Sequence, residues 1–81
     1  MRIQVDQHIV MDTEICHGTP TFTGTRIMVW QVLELLEAGR TPAEIIRQFP
    51  SLSKAHIRAA LRYATELARG KANVILSPVA A

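Results

Sequence analysis

The sequence predicts a mainly α fold with short N-terminal β-strands, arranged as a three-helix helix-turn-helix bundle that is expected to dimerise. Three observations predict it. Apolar residues recur at period two up to Met11, the period becomes helical from Met28, and TPAE (41–44) opens a further helix that Pro50 must stop. One domain is expected, with strands and loop in residues 1–27, the helical core in 28–70 and a tail in 71–81.

Ile3, Val5, Ile9 and Met11 alternate with polar residues except around Gln7, which predicts one or two short strands. From Asp12 to Thr25, Gly18, Pro20 and Gly24 stand among threonines, with Phe22 alone between turn signals; this predicts a loop containing at most one brief strand. Val29, Val32, Leu33 and Leu36 fall at i, i+3, i+4 and i+7, and Gly39 follows as a left-handed cap, so the first helix starts near Met28. In the second, Thr41 is the N-cap, Pro42 the first helical residue and Glu44 the third, able to bond back to the cap amide. It carries Ile45, Ile46 and Phe49 and ends before Pro50. Ser53 caps a third helix running to about Arg69, whose expected apolar stripe is Ile57, Ala60, Leu61, Ala64 and Ala68. Val74, Ile75 and Leu76 in the tail show no helical period and suggest an added strand or a partner-binding segment.

Composition bounds the function. The 81 residues are 48% apolar and 20% charged, which excludes wholesale disorder. A chain this short buries only about 60% of its unfolded surface, so association with a second copy would stabilise it. The net charge of +2 is too small to establish nucleic-acid binding without a localised patch. A single cysteine, Cys16, excludes an internal disulfide framework and fits a reducing compartment. With no apolar run long enough to span a membrane and no signal-like segment, a cytoplasmic protein is expected.

A localised patch does emerge on the third helix. Arg58, Arg62 and Arg69 gather within about 40° on the side opposite the apolar stripe, Thr65 lies beside them, and Lys54 stands one turn earlier. Such a file can contact successive DNA phosphates, and arginine can also bond a guanine edge in two places. The plain alternative is a solvated face on which Arg62 and Glu66 form an i, i+4 pair worth about 0.3 kcal/mol. Lys54 and His56 also occupy the first turn, where the helix dipole disfavours cations, and a bound anion would relieve that conflict. The candidate DNA-binding residues are therefore Lys54, His56, Arg58, Arg62 and Arg69.

Catalysis finds little support. Cys16 and His17 are adjacent, but His8 and His56 are distant in sequence and no CxxC, HxxxH or carboxylate cluster accompanies them. No enzymatic activity, metal or cofactor is expected. Trp30 falls on the polar side of the first helix among Gln31, Glu34 and Glu37, while Leu35 flanks its stripe; both are candidates for a dimer or partner interface, with Val74, Ile75 and Leu76.

The ordered segments ICHGTPTFTGTRIMVWQVLELLEAG, TPAEIIRQFPSLS and IRAALRYA, spanning Ile9 to Ala64, resemble the small prokaryotic family catalogued as domain of unknown function four-three-three, whose characterised relatives are VapB-type antitoxins. The resemblance implies a small dimeric helix-turn-helix domain, paired with a PIN-like ribonuclease toxin encoded alongside, that binds the toxin and represses its own operon. Gly18, Gly24, Thr25, Arg26 and Ile27 match the family's loop signature, Pro50 and Leu52 its inter-helix turn, and Ala59, Ala60, Leu61 and Tyr63 its last-helix core. Thr13 stands where proline is common, and Ala55 and His56 stand where acidic residues are common, making the start of the last helix more positive. An interaction module that binds protein but not DNA is the rival reading.

The stretch FTGTRIMVW (22–30) has one glycine and no following lysine, so it lacks the amide cradle of a P-loop. Gly24 is expected to supply a turn conformation and Thr25 to cap the first helix or close that turn. Arg26 either ties the loop to Asp12 or Glu14 or faces DNA, with the tie the preferred reading.

Overall fold

The computed structural model describes residues 1–70; Val74, Ile75 and Leu76 lie outside the described residues. Strands β1 (Arg2–Gln4), β2 (Ile9–Asp12) and β3 (Thr21–Phe22) form an antiparallel sheet in the order β1-β2-β3, followed by α1 (Val29–Glu37), α2 (Pro42–Gln48) and α3 (Lys54–Ala68). The mainly α architecture with short N-terminal strands is thus present. The interruption at Gln7 is the turn between two strands, whose register sets Ile3 against Met11. Phe22 lies in a two-residue strand paired with Ile9.

The helix boundaries follow the capping chemistry read from the sequence. Gly39, at φ +91°, ends α1 in a Schellman arrangement in which the Arg40 amide donates to Leu35 O and the Gly39 amide to Leu36 O, both at 3.0 Å. At α2 the Thr41 amide donates to Glu44 Oε1 (2.8 Å) and the Glu44 amide to Thr41 Oγ1 (3.2 Å), the reciprocal box that TPAE promises. The Thr41 amide and the Thr41 hydroxyl, which donates to Glu44 Oε1 at 3.2 Å, together hold the Glu44 carboxyl below its ordinary value.

One core joins sheet and helices: Ile9, Phe22, Val29, Val32, Ile45, Leu52, Ile57, Ala59 and Ala60 are buried together, with Val5, Ile27, Leu36 and Tyr63 packed around them. The buried arc of α3 differs from the expected stripe. Leu61 is 47% exposed and Ala68 is exposed, whereas Ala59 is buried and Tyr63 half-buried. The reason is angular, because at about 100° per residue the arc containing Ala59, Ala60 and Tyr63 turns Leu61 toward its edge. On α1, Leu35 is half-buried against the edge of the core, while Trp30 stays 49% exposed with its Nε1 donating to Met28 Sδ at 3.3 Å.

The 22–30 stretch is a turn. Gly24 takes φ +82°, Thr25 Oγ1 donates to Phe22 O (2.8 Å) and accepts from the Ile27 amide (3.0 Å), so Thr25 closes the turn. The α1 N-cap is Met28, whose amide donates to Gln31 Oε1 at 2.9 Å. The preferred tie of Arg26 is not formed: among the described residues its side chain has no ion pair, and Asp12 Oδ1 accepts instead from the Glu14 amide. Local bonding satisfies the loop without Arg26, which leaves its guanidinium in solvent. Gly18 closes a 3-10 turn at φ +87°, preceded by Cys16 and His17, also at positive φ.

Candidate nucleic-acid interface

The basic face of α3 is real in three dimensions. Lys54, Arg58, Arg62 and Arg69 are all exposed, and at about 100° per residue Arg58 and Arg62 each lie about 160° from the buried Ala60. Arg69 is partly neutralised by Glu66 at 3.6 Å, an exposed contact of the kind worth about 0–1 kcal/mol. The Arg62–Glu66 pair expected of a plain solvated face is not formed. Arg58 and Arg62 have no ion pair among the described residues, so their full charge is available to a ligand.

These two arginines also line a groove that the sequence did not disclose. Together with Ala55 and Ala59 they form one wall, and Asp6, Gln7 and His8 of the β1–β2 turn form the other, enclosing about 320 Å³. The turn is tightly built. Asp6 Oδ1 accepts from the amides of His8 (2.7 Å) and Ile9 (3.0 Å), and Gln4 Nε2 donates to Asp6 O (2.7 Å) and to Thr23 Oγ1 (3.1 Å). Asp6 and His8 were missed because their approach to α3 is a tertiary contact between residues about fifty positions apart. The one available signal was an aspartate two residues before a histidine at the break in the strand pattern, a spacing typical of an Asx turn.

His56 plays a different part from the cation expected in the first helical turn. It stands at the third helical position, where a capping box would carry Glu or Gln, and its Nδ1 accepts from the Ser53 amide at 3.0 Å. The acceptor must be unprotonated, so the dipole conflict is met at this residue by a neutral imidazole and needs no bound anion. The ring packs 4.7 Å from that of His8 and edge-on to Phe22 at 5.7 Å. Burial first, and then the charge of His8, hold its pKa below the ordinary histidine value.

The unfolded chain therefore binds the proton more readily than the folded one. The stabilisation is complete above about pH 6.5 and is lost as pH falls through that value toward the lower folded pKa. Lowering the pH from about 7.5 to about 5 is expected to lower the urea midpoint more in the wild type than in His56→Gln, whose amide oxygen can take over the cap without titrating. Equal losses in the two proteins would show that His56 does not carry the effect.

Among the described residues, no group of three or more His, Cys, Asp or Glu side chains is placed to hold a metal ion, and no helix is long and apolar enough to cross a membrane. Cys16 is half-buried, with its Sγ 3.7 Å from Arg26 O.

Fold and site together define a small three-helix domain with an N-terminal antiparallel sheet and an exposed basic face on its longest helix. The chain belongs to the family described as Protein of unknown function (DUF433), whose model matches residues 9–64. The match starts at β2 and ends within α3, so it takes in most of the core and the paired arginines. No curated protein and no solved structure matches the chain.

Proposed function

We propose that this protein is an antitoxin-like regulator: a dimeric helix-turn-helix DNA-binding protein that represses its own operon and neutralises a PIN-like ribonuclease toxin. The reading is non-enzymatic and assigns α2, residues 49–53 and α3 to the DNA-binding unit, with α3 as the helix that approaches the duplex. The observation that supports it most is the pair Arg58 and Arg62, exposed, free of intramolecular ion pairs among the described residues and opposite the buried side of α3. The toxin partner and the dimer rest on the resemblance of the sequence segments to VapB-type antitoxins.

The test is duplex binding across a salt series. A phosphate-gripping face gives log K falling linearly with log salt, with a slope of about −0.9 for each phosphate neutralised. Co-purification with the product of the neighbouring reading frame tests the toxin partner. The alternative, a protein interaction module that does not touch DNA, draws support from the half-exposed Trp30 and from Ile3 and Leu61, which are similarly exposed. No duplex binding at low salt, together with a stable protein complex, decides for that alternative.

A further inference from the structure

We infer that the β1–β2 turn is the base-reading element of the interface, with Asp6 accepting a hydrogen bond from an exocyclic amino group of a base while Arg58 and Arg62 hold phosphates beside it. This rests on the DNA-binding reading above and adds a residue and a specificity to it.

The groove has walls of opposite sign. Arg58 and Arg62 supply two positive charges on α3, and the facing turn supplies the carboxylate of Asp6. A site built only to grip the sugar-phosphate backbone gains nothing from a carboxylate, because like charge repels the phosphate. A ligand that is anionic on one side and offers N–H donors on the other fits both walls. A nucleotide within a duplex is such a ligand, since cytosine N4 and adenine N6 present donors in the major groove and Asp or Glu is the side chain that accepts from cytosine N4. The groove, of about 320 Å³, is far larger than a single bound ion requires.

Asp6 is also prepared for the task. Its Oδ1 is fixed by the amides of His8 and Ile9, while Oδ2 has no hydrogen bond among the described residues and keeps its acceptor capacity. Gln4 braces the turn through Asp6 O and Thr23 Oγ1, so the carboxylate is held before any ligand arrives. The second acceptor oxygen is the feature that a purely structural Asx turn leaves unused.

The test begins with selection of bound sequences from a randomised duplex library, followed by affinity measurements on the enriched duplex and a shuffled one. Asp6→Asn keeps an acceptor at the Oδ1 position, so the turn is retained, but removes the negative charge and replaces the free acceptor with a donor. The variant is expected to bind the shuffled duplex several-fold more tightly and to lose roughly tenfold of the preference for the enriched one. Replacing adenine with purine, or cytosine with its analogue lacking the amino group, at each enriched position is expected to cost the wild type roughly tenfold at one position and Asp6→Asn nothing there. An unchanged preference in Asp6→Asn, or the absence of any amino-sensitive position, overturns the assignment of Asp6. It does so while leaving the DNA-binding reading intact if binding still depends on Arg58 and Arg62. Failure of the wild type to bind any duplex overturns both.

Discussion

Phe22→Ala is expected to destabilise the domain by about 3–5 kcal/mol. Phe22 is 0% exposed and is the largest fully buried side chain. It joins three parts of the molecule: its strand pairs with Ile9, its carbonyl accepts from the Thr25 hydroxyl and amide, and its ring meets the His56 imidazole at the start of α3. Truncating a buried phenylalanine costs about 3–5 kcal/mol, partly through lost transfer energy and partly through the cavity left behind. At about 0.05–0.15 kcal/mol per residue, a domain of this size holds only about 4–12 kcal/mol in total. The loss therefore consumes a large part of the stability, and at the lower end of that range nearly all of it.

Leu61→Ala supplies the contrast. At 47% exposure it should cost well under half as much in the monomer, although the sequence pattern places Leu61 in the core. Urea unfolding followed by circular dichroism measures both. A loss below about 1 kcal/mol for Phe22→Ala would contradict the central position of its ring.

The elements that the sequence made legible are those fixed by local chemistry. Thr41 and Glu44 cap α2 through bonds spanning three residues, and Gly39 ends α1 because a left-handed residue is needed there; neither depends on distant partners. The basic face is legible for the same reason, since helical period alone separates Arg58 and Arg62 from Ala60. What was not legible depends on tertiary contact. Period alone puts Leu61 inside the stripe of α3, because it fixes the spacing of a face but not which neighbours cover it. Sequence position alone makes His56 a cation in the first helical turn, and only the bond from the Ser53 amide shows the imidazole as a cap. Arg26 was expected to tie the loop, yet the Thr25 hydroxyl already closes the turn. Asp6 and His8 reach the site through the fold, and no periodicity connects residues 6–8 with residues 55–62.

That division bears on how the interface is assembled. The wall contributed by α3 supplies charge, which a helix can display from its own sequence pattern. The opposing wall requires the β1–β2 turn to be set against α3 at a fixed height, and the contact of His8 with His56 does this at the first turn of the helix. The same imidazole that caps α3 therefore also positions the turn bearing Asp6. Cap and turn thus meet at one residue, His56, on the helix that carries the basic face.

Replacing both Arg58 and Arg62 with alanine is expected to reduce duplex affinity about a hundredfold or more at moderate salt while leaving the fold intact. Charge-assisted hydrogen bonds contribute about 1.5–3 kcal/mol each, so losing two exceeds a hundredfold even at the lower figure. The salt slope should fall by about 1.8, twice the increment for one phosphate. Stability should change by no more than about 0.5 kcal/mol per site, because both side chains are exposed and unpaired among the described residues, and alanine favours the helix. The chain carries a net charge of only +2, so removing two arginines brings it to zero, and a general loss of attraction for DNA would mimic a lost contact. Arg2→Ala with Arg40→Ala separates the two causes. It removes the same charge from exposed positions in β1 and between α1 and α2, outside the helix pair assigned to the duplex and outside the groove. If the α3 face grips the duplex, the Arg58 and Arg62 variant loses affinity and slope far beyond the Arg2 and Arg40 variant. Equal losses would mean that net charge, and not this face of α3, accounts for the binding.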